Sequence, residues 1–278
     1  MTAATKTVRE IALEQPGSIR VFERYGIDYC CGGRKPLSEA CAARDIEVDA
    51  VIAALEAAAQ SPAKVADNWN AESLAQLCNH IVAKHHAYVR RELPRLTALA
   101  EKVVNRHGAT RPELPIIQAT FTQLAEELTQ HLAKEEIVLF PYISKLERAI
   151  AEGGQKPNGC FGTVANPIAM MTQEHDGAGM LLEVIRKQSQ QFAPPEGTCP
   201  TYHAFYDGLR EFEQDLHQHI HLENNVLFPR AIELEASANE QTQKISAKSY
   251  GASWLNESSS TCSACSPSAD TARAYRES

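Results

Sequence analysis

The sequence predicts an all-α fold: a four-helix bundle preceded by a small helical domain and followed by a disordered tail. Three observations predict it. Ala, Leu and Glu dominate while aromatics make up only 6% of the 278 residues, a composition that favours helix over sheet. Between residue 71 and about 236, four long stretches place apolar residues at alternating spacings of three and four, the pattern of a helix with one buried stripe. The same region is duplicated: His131-Leu-Ala-Lys-Glu135-Glu-Ile-Val-Leu-Phe-Pro141 returns 88 residues later as His219-Ile-His-Leu-Glu223-Asn-Asn-Val-Leu-Phe-Pro229.

Taken in order, residues 1–62 read as short helices separated by turn signals at Gln15-Pro16-Gly17, Cys31-Gly32-Gly33 and Lys35-Pro36. The last of these helices, Glu47 to Gln60, is Ala-rich and stops before Ser61-Pro62. Residues 63–70 are polar and read as a linker. The bundle follows over 71–236, its helices broken near Gly108 to Pro115, Gly153 to Gly162 and Pro194 to Pro200. Residues 237–278 collapse into Ser, Thr, Ala and Gln, a composition too polar to fold on its own.

Apolar residues at 44% and charged residues at 22% suit an ordinary globular chain, and its length supports a full core without disulfides. A formal charge of -8 argues against nucleic acid or an anionic membrane as the main partner. There is no run of about 18 apolar residues, the length of a membrane span, and Met1 to Glu14 lacks the apolar core of a secretion signal. The expected compartment is the cytoplasm. There, the eight cysteines are thiols rather than a disulfide framework, and only the clustered ones, Cys30-Cys31 and Cys262-Ser-Ala-Cys265, invite a chemical reading. The tail pair is read as part of a dispensable extension.

Ten histidines require a rule for choosing among them. The second helix has the stripe Ile117, Phe121, Leu124, Leu128, His131, Glu135, Val138, Tyr142. The third has Ile168, Met171, His175, Ala178, Leu182, Ile185, and the fourth Phe205, Leu209, Phe212, Leu216, His219, Glu223, Val226. In the first helix His86 aligns with Cys78, Val82, Val89, Leu93 and Leu96, whereas the line through adjacent His85 runs on to Glu92 and Arg95. His217 and His221 share a face with Arg210, Gln214 and Asn224 and are expected in solvent. His107 falls in a loop, and His80 and His203 lie on no clean stripe.

His86 precedes His131 by 45 residues and His175 precedes His219 by 44, so two tandem hairpins each supply His…His-x-x-x-Glu. Burying two carboxylates and four imidazoles at one level costs several kcal/mol or more per unpartnered charge. A pair of cations between them removes that cost, and the i, i+4 spacing lets one His and one Glu reach the same ion. Four imidazoles and two carboxylates without a thiolate suit iron better than a thiolate-rich zinc site; dinuclear zinc or manganese is the alternative. If both glutamates bridge and an oxygen is shared, about one position per iron stays open for a small ligand. Pro141 and Pro229 each remove a helical hydrogen bond just beyond the site and are expected to kink the chain. Glu127 and Glu174, one turn before His131 and one residue before His175, are candidates to steady the imidazoles or handle protons and ions; the plainer alternative is polar flanking.

The segment Gly26-Ile-Asp28-Tyr29-Cys30-Cys31-Gly32-Gly33 places two thiols between glycines that leave the backbone open to close approach. Such thiols could hold a metal, reduce a partner or cross-link. Together with the duplicated bundle, this motif resembles the iron-sulfur cluster repair family, the Repair of Iron Centers di-iron proteins. In that family a short Asp-Tyr-Cys-Cys-Gly-Gly domain joins a hemerythrin-like four-helix bundle. The resemblance covers about residues 5 to 236; the tail has no counterpart in it.

The resemblance implies two non-haem iron ions, oxo- and carboxylate-bridged, with terminal ligands His86, His131, His175 and His219 and bridging Glu135 and Glu223. It implies repair of iron-sulfur clusters damaged by nitric oxide or oxidative stress, with Cys30 and Cys31 required. The partners it implies are damaged iron-sulfur proteins, and nitric oxide as a small ligand. A nitric oxide or dioxygen scavenger or sensor, or a ferroxidase or peroxide-consuming catalyst, is the competing reading; the cysteine domain favours repair because neither competitor needs it. A homodimer through the N-terminal domain is a further expectation, since about 60 residues make a marginal core.

Overall fold

The computed structural model describes residues 3–15, 17–30, 32–60 and 69–239. It is all helical apart from one isolated antiparallel bridge between Thr7 and Pro36, and no strand occurs among the described residues. The chain divides into two units, Met1–Ala238 and Asn239–Ser278. Cys31, most of the 63–70 linker and nearly all of the 237–278 tail, with Cys262 and Cys265, lie outside the described residues.

Four helices open the first unit: α1 (Val8–Glu14), α2 (Ser18–Tyr25), α3 (Leu37–Ala42) and α4 (Val48–Gln60). A capping box starts α1: Thr7 accepts from the Glu10 amide while the Glu10 carboxylate accepts from the Thr7 amide. Gly26 ends α2 in the left-handed region at φ 64°, letting Ile27 donate back to the Phe22 carbonyl. Val8, Ile11, Phe22, Tyr29, Leu37, Val51 and Leu55 close a small apolar cluster. The loop after Tyr29 tucks under α1, with Arg9 donating to the Gly33 carbonyl. A Cβ on Gly33 would stand 2.7 Å from the Tyr29 oxygen, so only glycine fits there.

The bundle has four long helical rods, three of which contain a π-turn. The first runs α5 (Leu74–Ile81), a π-turn (Val82–His86) and α6 (Ala87–His107); the second α7 (Glu113–Lys134), a π-turn (Glu135–Leu139) and α8 (Phe140–Ala151). The third is α9 (Ala165–Gln188). The fourth is α10 (Pro200–His221), a π-turn (Leu222–Leu227) and α11 (228–239). A capping box at Ser73 and Gln76 starts the first rod. Among the described residues no helix is long and apolar enough to cross a membrane.

Pro141 and Pro229 therefore mark π-turns. In the turn before Pro141, Phe140 donates to the Glu135 carbonyl five residues back; before Pro229, Phe228 donates to Glu223. One extra residue per turn shifts the buried stripe. Val138, which the uninterrupted periodicity places in the core, is 40% exposed, and Leu139 takes its place at 1%.

The bundle interior forms two apolar blocks. One gathers Val89, Leu96, Phe121, Leu124, Phe205 and Phe212. The other gathers Leu77, Ile81, Phe140, Ile143, Met171 and Phe228. The buried histidines and glutamates lie between them.

A second expectation is corrected where the N-terminal segment meets the bundle. His217 and His221 do not face solvent: the Tyr29 ring sits edge-on to both, at 6.2 and 5.5 Å between centroids, and His221 is buried. Gln218 donates to Glu23, and Asn225 to the Tyr29 carbonyl. This polar face is covered by the chain's own N-terminal helices, so the small N-terminal core leans on the bundle in cis.

Candidate metal centre

Each of the six side chains singled out from the sequence is buried, and they converge at one level of the bundle. His86 ends the first π-turn, Glu135 opens the second and Glu223 lies in the third. The Nε2 atoms of His86 and His219 are 3.1 Å apart, and those of His131 and His175 are 3.0 Å apart. Glu135 Oε2 lies 3.4 Å from Nε2 of both His86 and His131. Glu223 reaches His219 through Oε1 at 2.8 Å and His175 through Oε2 at 3.1 Å.

Two overlapping four-donor sets result: His86, Glu135, His219 and Glu223, and His131, Glu135, His175 and Glu223, each with its donor atoms within 4.8 Å of one another. Both glutamates belong to both sets.

The donor set fits cations. Both Glu135 oxygens and Glu223 Oε2 are buried yet make no hydrogen bond. Orphaned carboxylate oxygens in a closed interior are costly, and a metal ion is the partner that their position between imidazole nitrogens suits. Protons otherwise offset the charge. Burial pushes His86 down, but Glu135 and Glu223 overcome it and lift the imidazole to about 10. His131 likewise rises to about 9 against its burial, chiefly through the charge of Glu135. His219 is lowered by burial, so the proton of that pair resides on His86. Burial opposes ionisation of Glu223, yet the neighbouring histidines, His219 foremost, hold it well below the usual carboxylate range.

Around the ligands, three imidazoles are fixed through Nδ1. His86 donates to Glu136 at 2.6 Å, His131 to Glu174 at 2.9 Å and His175 to the Asn224 side-chain oxygen at 2.9 Å. A carboxylate only accepts, so Nδ1 carries the hydrogen at His86 and His131, and Nε2 is turned toward the centre. Arg90 holds Glu136, and Lys134 holds Glu174. Phe140 stacks on His86 at 5.7 Å and Phe228 on His175 at 6.0 Å, which gives the repeated Leu-Phe-Pro a second role.

His219 differs: its Nδ1 has no partner. The His85 ring lies flat against it, 5.6 Å away and tilted by 6°, with its own Nδ1 3.0 Å from Asp215. His85 and His86 are both fully buried because the first π-turn ends on them.

Of the two outer carboxylates named from the sequence, Glu174 touches His131. Glu127 does not; it accepts from Gln123 one turn earlier on its own helix. It does line a cavity of about 200 Å³ with His131, Lys134, Glu174 and His175. Glu136 and Asn224, with His85 and Asp215, also brace the site: the sequence reading put Asn224 in solvent, set His85 aside in favour of His86, and singled out neither Glu136 nor Asp215. A signal for the first two exists: they occupy the same position of the repeat, directly after Glu135 and Glu223.

Cys30 is 5% exposed and joins the apolar block of the bundle. Asp28 organises its loop, accepting from the Cys30 amide at 2.9 Å, the Cys30 thiol at 3.3 Å and the Gly32 amide at 2.8 Å. No disulfide joins the described cysteines.

Residues 77–231 match the hemerythrin HHE cation binding domain, and residues 4–59 match a domain of unknown function, DUF542. The chain is 39% identical over 224 residues to the iron-sulfur cluster repair protein YtfE of Escherichia coli O157:H7, covering 80% of this chain and 94% of that protein. It is 36% identical to the protein of the same name from Yersinia pseudotuberculosis serotype IB, and 38% identical to that from Citrobacter koseri. Each of these alignments spans 233 residues, 84% of this chain and 99% of the relative. With that identity across nearly the whole length of its relatives, and a cation-binding bundle behind a cysteine-bearing helical segment, this chain belongs to the iron-sulfur cluster repair family.

Proposed function

We propose that this chain repairs iron-sulfur clusters damaged by nitric oxide or oxidative stress, using a di-iron centre held by His86, His131, His175 and His219 and bridged by Glu135 and Glu223. The observation that carries the reading is the pair of buried four-donor sets sharing two carboxylates, in a chain whose relatives are named for cluster repair. Bound iron would supply a redox-active site, and iron itself, to the repair reaction. The protein's own residues prepare the place. Glu136, Glu174 and Asn224 orient three imidazoles, the two apolar blocks exclude water, and the cavity beside Glu174 gives a small ligand or ion a route to His131 and His175. Asp28 keeps the Cys30 thiol against the bundle, where it serves a damaged client.

The test is reactivation of a nitric-oxide-damaged iron-sulfur enzyme by the iron-loaded protein, beside the Cys30→Ala/Cys31→Ala double variant. Restoration by the first and not the second is expected. Uptake of nitric oxide without any restoration would replace repair with scavenging or sensing. Zinc in place of iron, in protein from iron-replete cells, would sink the di-iron assignment.

A further inference from the structure

Tyr29 and Cys30 share one peptide unit, and that unit is gripped at both ends. Its N–H is accepted by Asp28 at 2.9 Å, and its carbonyl accepts from Asn225 Nδ2 at 3.1 Å. The second hydrogen of the same amide goes to His221 Nδ1 at 2.8 Å. Both acceptors fix the orientation of the buried Asn225 side chain, because a carbonyl oxygen only accepts. Gly33 lies close against the Tyr29 oxygen, which leaves that carbonyl little freedom to turn elsewhere.

Asn225 stands in the π-turn Leu222–Leu227, two residues after Glu223 and one after Asn224, the partner of His175. This single turn therefore touches both halves of the metal centre on one side and the cysteine loop on the other. A cation that drew in Glu223 and His175 would fix the turn, the turn would fix Asn225, and Asn225 would fix the plane of the peptide from which the Cys30 side chain departs.

We propose that Asn225 is a positioning residue that couples the metal centre to the Cys30 loop, so that occupancy of the centre sets the reactivity of the Cys30 thiol. The proposal rests on the reading that Glu223 and His175 hold the metal. Coupling of this kind is reciprocal: the state of the thiol also biases how firmly the centre holds its ions.

The experiment compares the full-length protein, iron-loaded and metal-free, in a brief pulse of iodoacetamide with labelling resolved by mass spectrometry. Exposed Cys160 is the internal reference. In the wild type, loading should change Cys30 labelling relative to Cys160 by about tenfold, within the usual span of coupling between sites. Asn225→Ala, compared at equal iron content, should bring that ratio to within about twofold of one. Asn225→Asp keeps the shape while removing both donors, and should do the same if the alanine variant fails to fold. A wild-type ratio near one, or a tenfold ratio that persists in the variants, overturns the proposal. A wild-type chain that takes up no iron overturns the metal assignment and this proposal with it. Full iron content with no change in labelling overturns this proposal alone.

Discussion

The two halves of the candidate centre are built from one repeated sequence, yet they are held differently. In the half formed by His131 and His175, both imidazoles are pinned through Nδ1, by Glu174 and Asn224, and a cavity of about 200 Å³ opens beside them. In the half formed by His86 and His219, Glu136 pins the first through Nδ1, whereas Nδ1 of the second has no partner and its ring lies against His85. The difference traces to the residue before the first histidine of each hairpin. Glu174 precedes His175 and reaches across to His131; its counterpart before His86 is His85, which cannot play that part and is turned to Asp215. A duplication thus supplies two matching donor sets, and the residues just outside them differ in how they brace each half.

The comparison can be broken most severely by removing what the halves share. Glu223→Ala should cost both sites, so iron content should fall from near two per chain, the content expected of the di-iron assignment, to below about one, as read by metal analysis. Retention of full iron would show that the carboxylate does not serve both sets.

Acid should act next most strongly. His86 and His131 are raised to about 10 and about 9, so both are protonated at neutral pH without metal and must lose their protons to bind it. Loading should release about two protons, and affinity summed over the two ions should fall up to about a hundredfold for each pH unit lost between 8 and 6. Competition titrations across that range check the slope. A pH-independent affinity would place the metal elsewhere.

Smaller changes should separate the halves. Glu174→Gln should weaken one ion and Glu136→Gln the other, each by about 10- to 100-fold, the usual cost of losing the partner of a metal-ligating histidine. Asp215→Asn acts only through the His85 stack, and its effect on metal affinity should stay below about tenfold. Equal losses from Glu174→Gln and Asp215→Asn would mean that the two halves are supported alike after all.

The all-helical bundle was legible because long stripes at three-and-four spacing have few other readings, and because the same His-x-x-x-Glu pattern occurs twice. The six buried polar residues were legible from the stripes that carry them. The π-turns were not. A one-residue excess changes no residue type, and its only trace was the proline after each Leu-Phe, which reads equally well as a kink. That excess is why Leu139, not Val138, faces inward and why adjacent His85 and His86 are both buried. The docking of the N-terminal helices was hidden for another reason. His217, Gln218, His221 and Asn225 look like a solvated face, yet they meet Tyr29 and Glu23, and a polar interface leaves no hydrophobic stripe to find.

One feature of the interior bears on what the protein can give away. The layer of histidines and glutamates lies between the two apolar blocks of the bundle core. With cations in place, that layer is a rivet joining the blocks. Emptied, it is a fault plane of mutually repelling carboxylates and borrowed protons, and the helices that cross it are already loosened there by a π-turn in three rods of the four. If metal held there were passed to a client, the same act would remove the tie between the two blocks.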